Sequence, residues 1–184
     1  MMSPMESLRG HLLLAGAALW DPHFRRSVVL IAHHDEEGAV GVVLNERADV
    51  TVSEAIPQLG SLVPPDEPLY VGGPVEPQAA VVIADFEDPS VAEIIALDSI
   101  GFLPPETEPD VDLGIRRARV FAGYSGWGPG QLEAEMAEGS WIAEPAVPDD
   151  VFPSDPSRLW DVVLRRKGSA FDLLRAMPVD PTMN

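Results

Sequence analysis

Ser125 is the first residue to weigh for chemistry. It stands in Gly123-Tyr124-Ser125-Gly126-Trp127-Gly128-Pro129-Gly130-Gln131, directly after the apolar run Val120-Phe121-Ala122. A serine nucleophile on a strand–turn–helix elbow needs a glycine two residues before it and another two residues after it. Gly123 meets the first condition, but position 127 is Trp. His11, His23, His33 and His34 all precede Ser125, whereas elbow enzymes place the histidine after the serine. A hydroxyl satisfied inside a turn is the better reading. Nucleotide cradles fail too. Gln131 occupies the third Rossmann position, there is no Gly-Lys-Ser/Thr, and Lys167 is the only lysine. A looser anion site at the helix start would be opposed by Glu133 and Glu135. His33 and His34 are neighbours on a strand end, so they point to opposite faces and do not share a metal. His33 with Asp35 could share a face, with a solvated turn as the simpler reading. No cofactor or metal is expected.

Trp127 either packs as a lid on the core or presents a binding face, and packing is favoured because large aromatic side chains usually bury. Asn45, at the end of an apolar run, is a turn former or a polar site residue. Asp21, within Trp20-Asp21-Pro22-His23-Phe24, is a further polar candidate.

The elements that position these residues can be read from local pattern. His11–Ala15, Arg26–Ala32 and Ala39–Leu44 read as strands, the last two joined as a hairpin through Asp35-Glu36-Glu37-Gly38. Thr51 or Ser53 caps a short helix over 52–59, with the box at Ser53 incomplete. Leu69–Val71, Ala79–Ala84, Ile94–Leu97 and Ile100–Leu103 read as strands. Asp112–Arg117 reads as a short helix. The signature stretch reads as a strand, a glycine-rich turn from Gly123 and a helix from Gln131 ending at Gly139. Ser140–Glu144 returns as a strand, and Glu144–Pro153 reads as an extended connection. Asp155 caps a helix over Ser157–Lys167 whose apolar positions Leu159, Trp160, Val163 and Leu164 keep helical spacing. Ser169 with Asp172 suggests a cap for a last helix through Met177. Strands and helices mix without a regular βαβ series, which predicts an α+β fold.

The chain has 184 residues and 46% hydrophobic content, enough for a single domain burying roughly 70% of the surface its unfolded chain exposes. Residues 1–8 and 178–184 read as a flexible end and a C-terminal tail. With no cysteine, disulfides and thiolate chemistry are excluded. The formal charge of −18 repels phosphate backbones and argues against autonomous nucleic-acid binding. The only basic clusters are Arg116-Arg117-Arg119 and Arg165-Arg166-Lys167. No run is long enough to span a bilayer. Leu12–Leu19 is not read as a signal core, because the preceding segment is weakly charged and contains Glu6. The cytoplasm is the default location.

Five ordered pieces resemble the AlgH/YqgE family of bacterial proteins. They are Gly10-His11-Leu12-Leu13-Leu14-Ala15, Asp21-Pro22-His23-Phe24-Arg25-Arg26-Ser27-Val28-Val29, Glu37-Gly38-Ala39-Val40-Gly41-Val42-Val43-Leu44-Asn45, Tyr70-Val71-Gly72-Gly73-Pro74-Val75, and Gly123 through Glu133. The resemblance implies an α+β fold with a bifurcated, mostly antiparallel sheet, a small barrel-like part and surrounding helices. It implies no reaction. The family's transcriptional-regulator label rests on a genetic link rather than on a DNA-binding motif. The leading expectation is a non-enzymatic binding or regulatory module. Its surface would include Asp21, Asn45, Gly72, Gly73, Pro74, Tyr124, Ser125, Gly126, Trp127 and Gln131, and would engage a protein partner or a small ligand. The alternative is a hydrolase or transferase acting on a small anionic substrate through Asp21, Asn45 and Ser125.

Overall fold

Continuous apolar runs build one end of the sheet. His11–Ala15 (β1), Val28–Asp35 (β2) and Gly38–Val43 (β3) pair antiparallel in chain order. Both faces of β1 and β2 are covered, which is why these strands show no polar alternation. Leu12, Leu14 and Leu30 face one core, while Leu13, Val29 and Ile31 face another. The structure, a computed structural model, describes residues 7–17, 19, 24–108 and 112–177.

The remaining elements follow as Arg47–Thr51 (β4), Val52–Ala55 (α1), Pro68–Val71 (β5), Val75–Phe86 (β6), Ile94–Leu97 (β7), Ile100–Phe102 (β8), Ile115–Trp127 (β9), Gln131–Ala137 (α2), Trp141–Pro145 (β10), Pro148–Val151 (α3), Leu159–Lys167 (α4) and Asp172–Ala176 (α5). The main sheet runs β10-β1-β2-β3-β9-β6-β8-β7, and a β4–β5 arm branches from β9. Among the described residues every pairing is antiparallel except β5 with β9. The fold is thus α+β, one domain around a large, mostly antiparallel sheet. The sheet curls until Arg9 Nε donates to Ile95 O of β7 at 2.7 Å. Among the described residues no ladder joins β7 to β2, so the sheet is not closed.

Helices cover the faces. Trp160, Val163 and Leu164 of α4 pack with Leu12, Leu30 and Phe121. Leu132 of α2 packs with Leu13, Ile31 and Trp141. Val52 of α1 packs with Phe86 and Val120.

Several local expectations are corrected. Asp112–Arg117 is not a helix: β9 begins at Ile115 and its alternating burial follows a pleat. The strand also continues through Gly123 to Trp127, leaving only Gly128–Gly130 for the turn. The 144–153 connection is not uniformly extended, because Pro148–Val151 forms α3, with Asp150 Oδ2 accepting the Val147 N–H at 2.9 Å. The first helix is shorter than expected and is capped by a complete box between Thr51 and Glu54. Asp155 starts a 3₁₀ turn at Pro156 ahead of α4, and α5 has no side-chain N-cap. Of the expected chain ends, residues 1–6 and 178–184 lie outside the described residues. Ser7 and Leu8 bond to His34, the hydroxyl donating to its carbonyl at 3.2 Å and the Leu8 N–H to its Nδ1 at 3.0 Å.

Candidate functional site

The site is the place where β9 changes partners. Along one edge β9 pairs with β6 from Ile115 to Tyr124. Along the other, Phe121 and Ala122 pair in parallel with Tyr70 and Val71 of β5. After Gly123 that edge passes to β3, through Ser125↔Gly41, Gly126↔Val40 and Trp127↔Ala39. Gly72 stitches the fork together. Its N–H donates to Ala122 O at 2.8 Å, and its carbonyl accepts the Val43 N–H at 2.9 Å and the Ser125 hydroxyl at 3.1 Å.

This geometry needs glycine at Gly123. Its φ is +73°, and a Cβ there would lie 2.5 Å from Gly73 O and 3.0 Å from Val75 O. On the facing segment, a Cβ at Gly73 would overlap Tyr124 O and Ser125 Oγ.

The structure sorts the sequence candidates. Gly72, Gly73, Tyr124 and Ser125 come together, with Pro74 exposed at the rim beside them. Ser125 is 1% exposed, and its hydroxyl is spent on Gly72 O. Asn45 bonds elsewhere. Its Oδ1 accepts the Val28 N–H at 3.0 Å and its Nδ2 donates to Arg26 O at 2.9 Å, fastening the entry to β2. Trp127 is 7% exposed and stands edge-to-face with Trp141, ring centroids 6.0 Å apart. Their indole N–H groups both point at Glu135 Oε1, at 3.4 and 3.1 Å. Gly126 is exposed, and a Cβ there would meet only Val75 Cγ2, at 3.8 Å. Gln131 is exposed and closes the turn, its Oε1 accepting the Gly128 N–H at 3.0 Å. Asp21 lies outside the described residues.

Sequence reasoning missed the partner of His34. The His34 side chain is buried, and its Nε2 meets Glu133 Oε1 on α2. Because Nδ1 accepts the Leu8 N–H, Nε2 carries the proton in the neutral ring. This bond holds the Glu133 carboxyl below its ordinary range. The pleat alternation that separates His34 from His33 was the available signal. His33 bonds Asp35 Oδ2 at 2.7 Å on the exposed face, which likewise lowers the Asp35 carboxyl. Among the described residues no three His, Asp or Glu side chains are grouped to hold a metal.

The basic clusters face acids. Arg116 and Arg117 approach Asp85, Arg119 approaches Glu67, Arg165 approaches Asp161, Arg166 bonds Asp150, and Lys167 approaches Glu144. Arg117 stacks on Phe152 and Arg119 on Tyr70.

The glycine fork can be compared with known proteins. The model of a family described as AlgH-like matches residues 12–172. The chain belongs to the AlgH-like family. A UPF0301 protein of Streptomyces avermitilis is 38% identical over 190 residues, covering 100% of this chain and 98% of that protein. A UPF0301 protein of Chlorobaculum tepidum is 36% identical over 197 residues and spans both chains fully. Among solved structures, a Corynebacterium diphtheriae protein superposes with a TM-score of 0.81 at 30% identity, covering 96% of this chain and 95% of that one. The solution structure of AlgH from Pseudomonas aeruginosa gives 0.71 at 26% identity, covering 97% and 98%. Family membership therefore extends over the whole fork, including β5, β6 and β9. Among the described residues, no helix is long and apolar enough to cross a membrane.

Proposed function

We propose that this AlgH-like chain is a binding or regulatory module without a catalytic centre of its own at the fork, engaging a protein partner or small ligand over the fork's exposed rim. The observation that carries the reading is the inward commitment of two of the three polar candidates, the third, Asp21, lying outside the described residues. Ser125 is spent on Gly72 and Asn45 on Arg26 and Val28. A nucleophile must instead face a general base and an open space for the reacting atom.

The rim itself consists of Pro74, Glu76, Gly126 and Gln131, all exposed. Glu76 is held at φ +45°, a left-handed conformation that costs a residue with a Cβ roughly 1–2 kcal/mol. Strain kept at an exposed rim supports a functional role for it. The ion pairing of both basic clusters supports a protein or small-ligand partner over nucleic acid.

The test is a capture from cell extract with wild type and Gly126→Arg, since position 126 has room for a side chain. A partner retained by wild type and lost by the variant, at unchanged melting temperature, supports the rim. Equal recovery by both removes it.

A further inference from the structure

The three outer strand edges of the sheet are treated differently. On β10, Lys167 Nζ donates to Ala143 O at 2.7 Å and Arg166 Nη2 to Pro145 O at 3.3 Å. Pro145 also lacks an N–H, so this edge is blocked in the manner of sheets that resist strand addition. On β7, Arg9 donates to Ile95 O. Among the described residues β4 carries no such cation on a carbonyl and has β5 as its only strand neighbour. All five residues of β4, Arg47 through Thr51, line a groove of about 530 Å³ together with Glu54, Asp66 and Pro68.

We propose that the free edge of β4 accepts a short extended peptide carrying alternating basic and aliphatic residues. Three carboxylates, Asp49, Glu54 and Asp66, face this groove against one guanidinium, Arg47. The groove thus favours a cation, and the chain's charge of −18 reinforces this at long range. Val50 is 40% exposed and offers an apolar contact beside the charges. Strand addition takes its affinity from main-chain bonds and its selectivity from alternate side chains. The Thr51 N–H is already used by Glu54 at 3.3 Å, so the added strand engages the residues before it.

A second copy of this chain fits poorly. Antiparallel self-pairing that uses the whole of β4 sets Asp49 opposite Asp49, and like charges directly opposite destabilise a pair. Between its bridges Arg47↔Tyr70 and Thr51↔Pro68, β4 also sets three residues against one of β5, a local irregularity in the ladder. A bulge twists an edge away from flat sheet-to-sheet joining. This site is separate from the fork's rim and stands or falls independently of it.

The probe is a fluorescein-labelled peptide of alternating lysine and valine, titrated by anisotropy against the full chain. An alternating glutamate–valine peptide is the control. The lysine peptide is expected to bind saturably, to shift the amide resonances of residues 47–50, and to bind at least about tenfold more tightly than its acidic counterpart. Asp49→Pro removes a strand donor and a charge, and should weaken binding by about tenfold or more. Asp66→Lys lies outside the strand and should weaken it severalfold with β4 intact. Gly126→Arg should leave it unchanged. Equal affinity for the two peptides, binding indifferent to both Asp49→Pro and Asp66→Lys, or no saturable binding would overturn the proposal. A concentration-dependent dimer that Asp49→Pro abolishes would assign the edge to a second copy and overturn it as well.

Discussion

Gly123 and Gly130 share a backbone conformation but not a neighbourhood, which makes them a matched pair. Both sit at φ +73°. A Cβ at Gly130 has nothing within 4 Å, whereas one at Gly123 meets Gly73 O at 2.5 Å, Val75 O at 3.0 Å and Pro77 Cα at 3.1 Å. Alanine at Gly130 should cost only the left-handed penalty, roughly 1–2 kcal/mol, less about 0.4–1 kcal/mol from a stiffer unfolded chain. The net is about 1 kcal/mol. At Gly123 the same cost applies, and the obstructing atoms are backbone that no rotamer change can move. Restoring ordinary contact means parting β9 from the Gly72–Gly73 segment. That weakens the Gly72 N–H bond to Ala122 O and the Ser125 bond to Gly72 O, at about 1 kcal/mol each. Gly123→Ala should therefore cost about 3 kcal/mol, a large fraction of the stability of a typical domain. Urea unfolding followed by circular dichroism measures both variants, reading the midpoint at constant m. Costs agreeing within about 0.5 kcal/mol would refute the claim that the fork demands glycine for close approach rather than for φ alone.

Three further outcomes are expected. Asn45→Ala should destabilise by about 2 kcal/mol, because the Val28 N–H and the Arg26 carbonyl both lose their partner; Asn45→Asp, which keeps the acceptor, should recover part of the loss in the same denaturation assay. Ser125→Ala should cost only about 1 kcal/mol, since Gly72 O keeps the Val43 N–H, and a fluorophosphonate probe should leave wild-type Ser125 unlabelled by mass spectrometry. The Arg175 fork holds the Asp161 carboxyl below its ordinary range, with bonds of 2.8 and 3.1 Å. Its stabilisation is therefore full above the unfolded-state pKa and is lost as pH falls through the lower folded value. Asp161→Asn should flatten that acid limb of the unfolding midpoint against pH, and an unchanged limb would show that other carboxylates carry it.

What the sequence revealed depended on whether local pattern and tertiary environment agreed. β1, β2 and β3 were legible because continuous apolar runs say directly that both faces are covered. The start of β9 was not. Arg116, Arg117 and Arg119 look like exposed helix charges, yet the rings of Phe152 and Tyr70 cover Arg117 and Arg119 and let them alternate in a strand. β4 escaped notice because Ala48 and Val50, which alternate with Arg47, Asp49 and Thr51, make too short and weakly apolar a pattern, and only pairing with β5 makes it a strand. At the site, the glycines were visible but their reason was not. Gly72 and Ser125 are 53 positions apart and His34 and Glu133 are 99 apart, and nothing local announces either contact.

The same distances bear on where binding can occur. A ligand reaching Ser125 would have to displace the Gly72 carbonyl, which also holds the Val43 N–H, while the neighbouring Gly72 N–H holds Ala122. Moving that one peptide segment loosens β3, β5 and β9 together. Each bond is worth about 1 kcal/mol, and a buried group left unpaired costs about 1–3 kcal/mol more, so a small ligand would spend much of its interaction energy opening the fork. Contact at Pro74, Glu76 and Gly126 disturbs none of these bonds. The glycine signature is thus best understood as the part of the molecule that must not move, and the recognition proposed above falls on the rim it holds in place and on the open edge of β4.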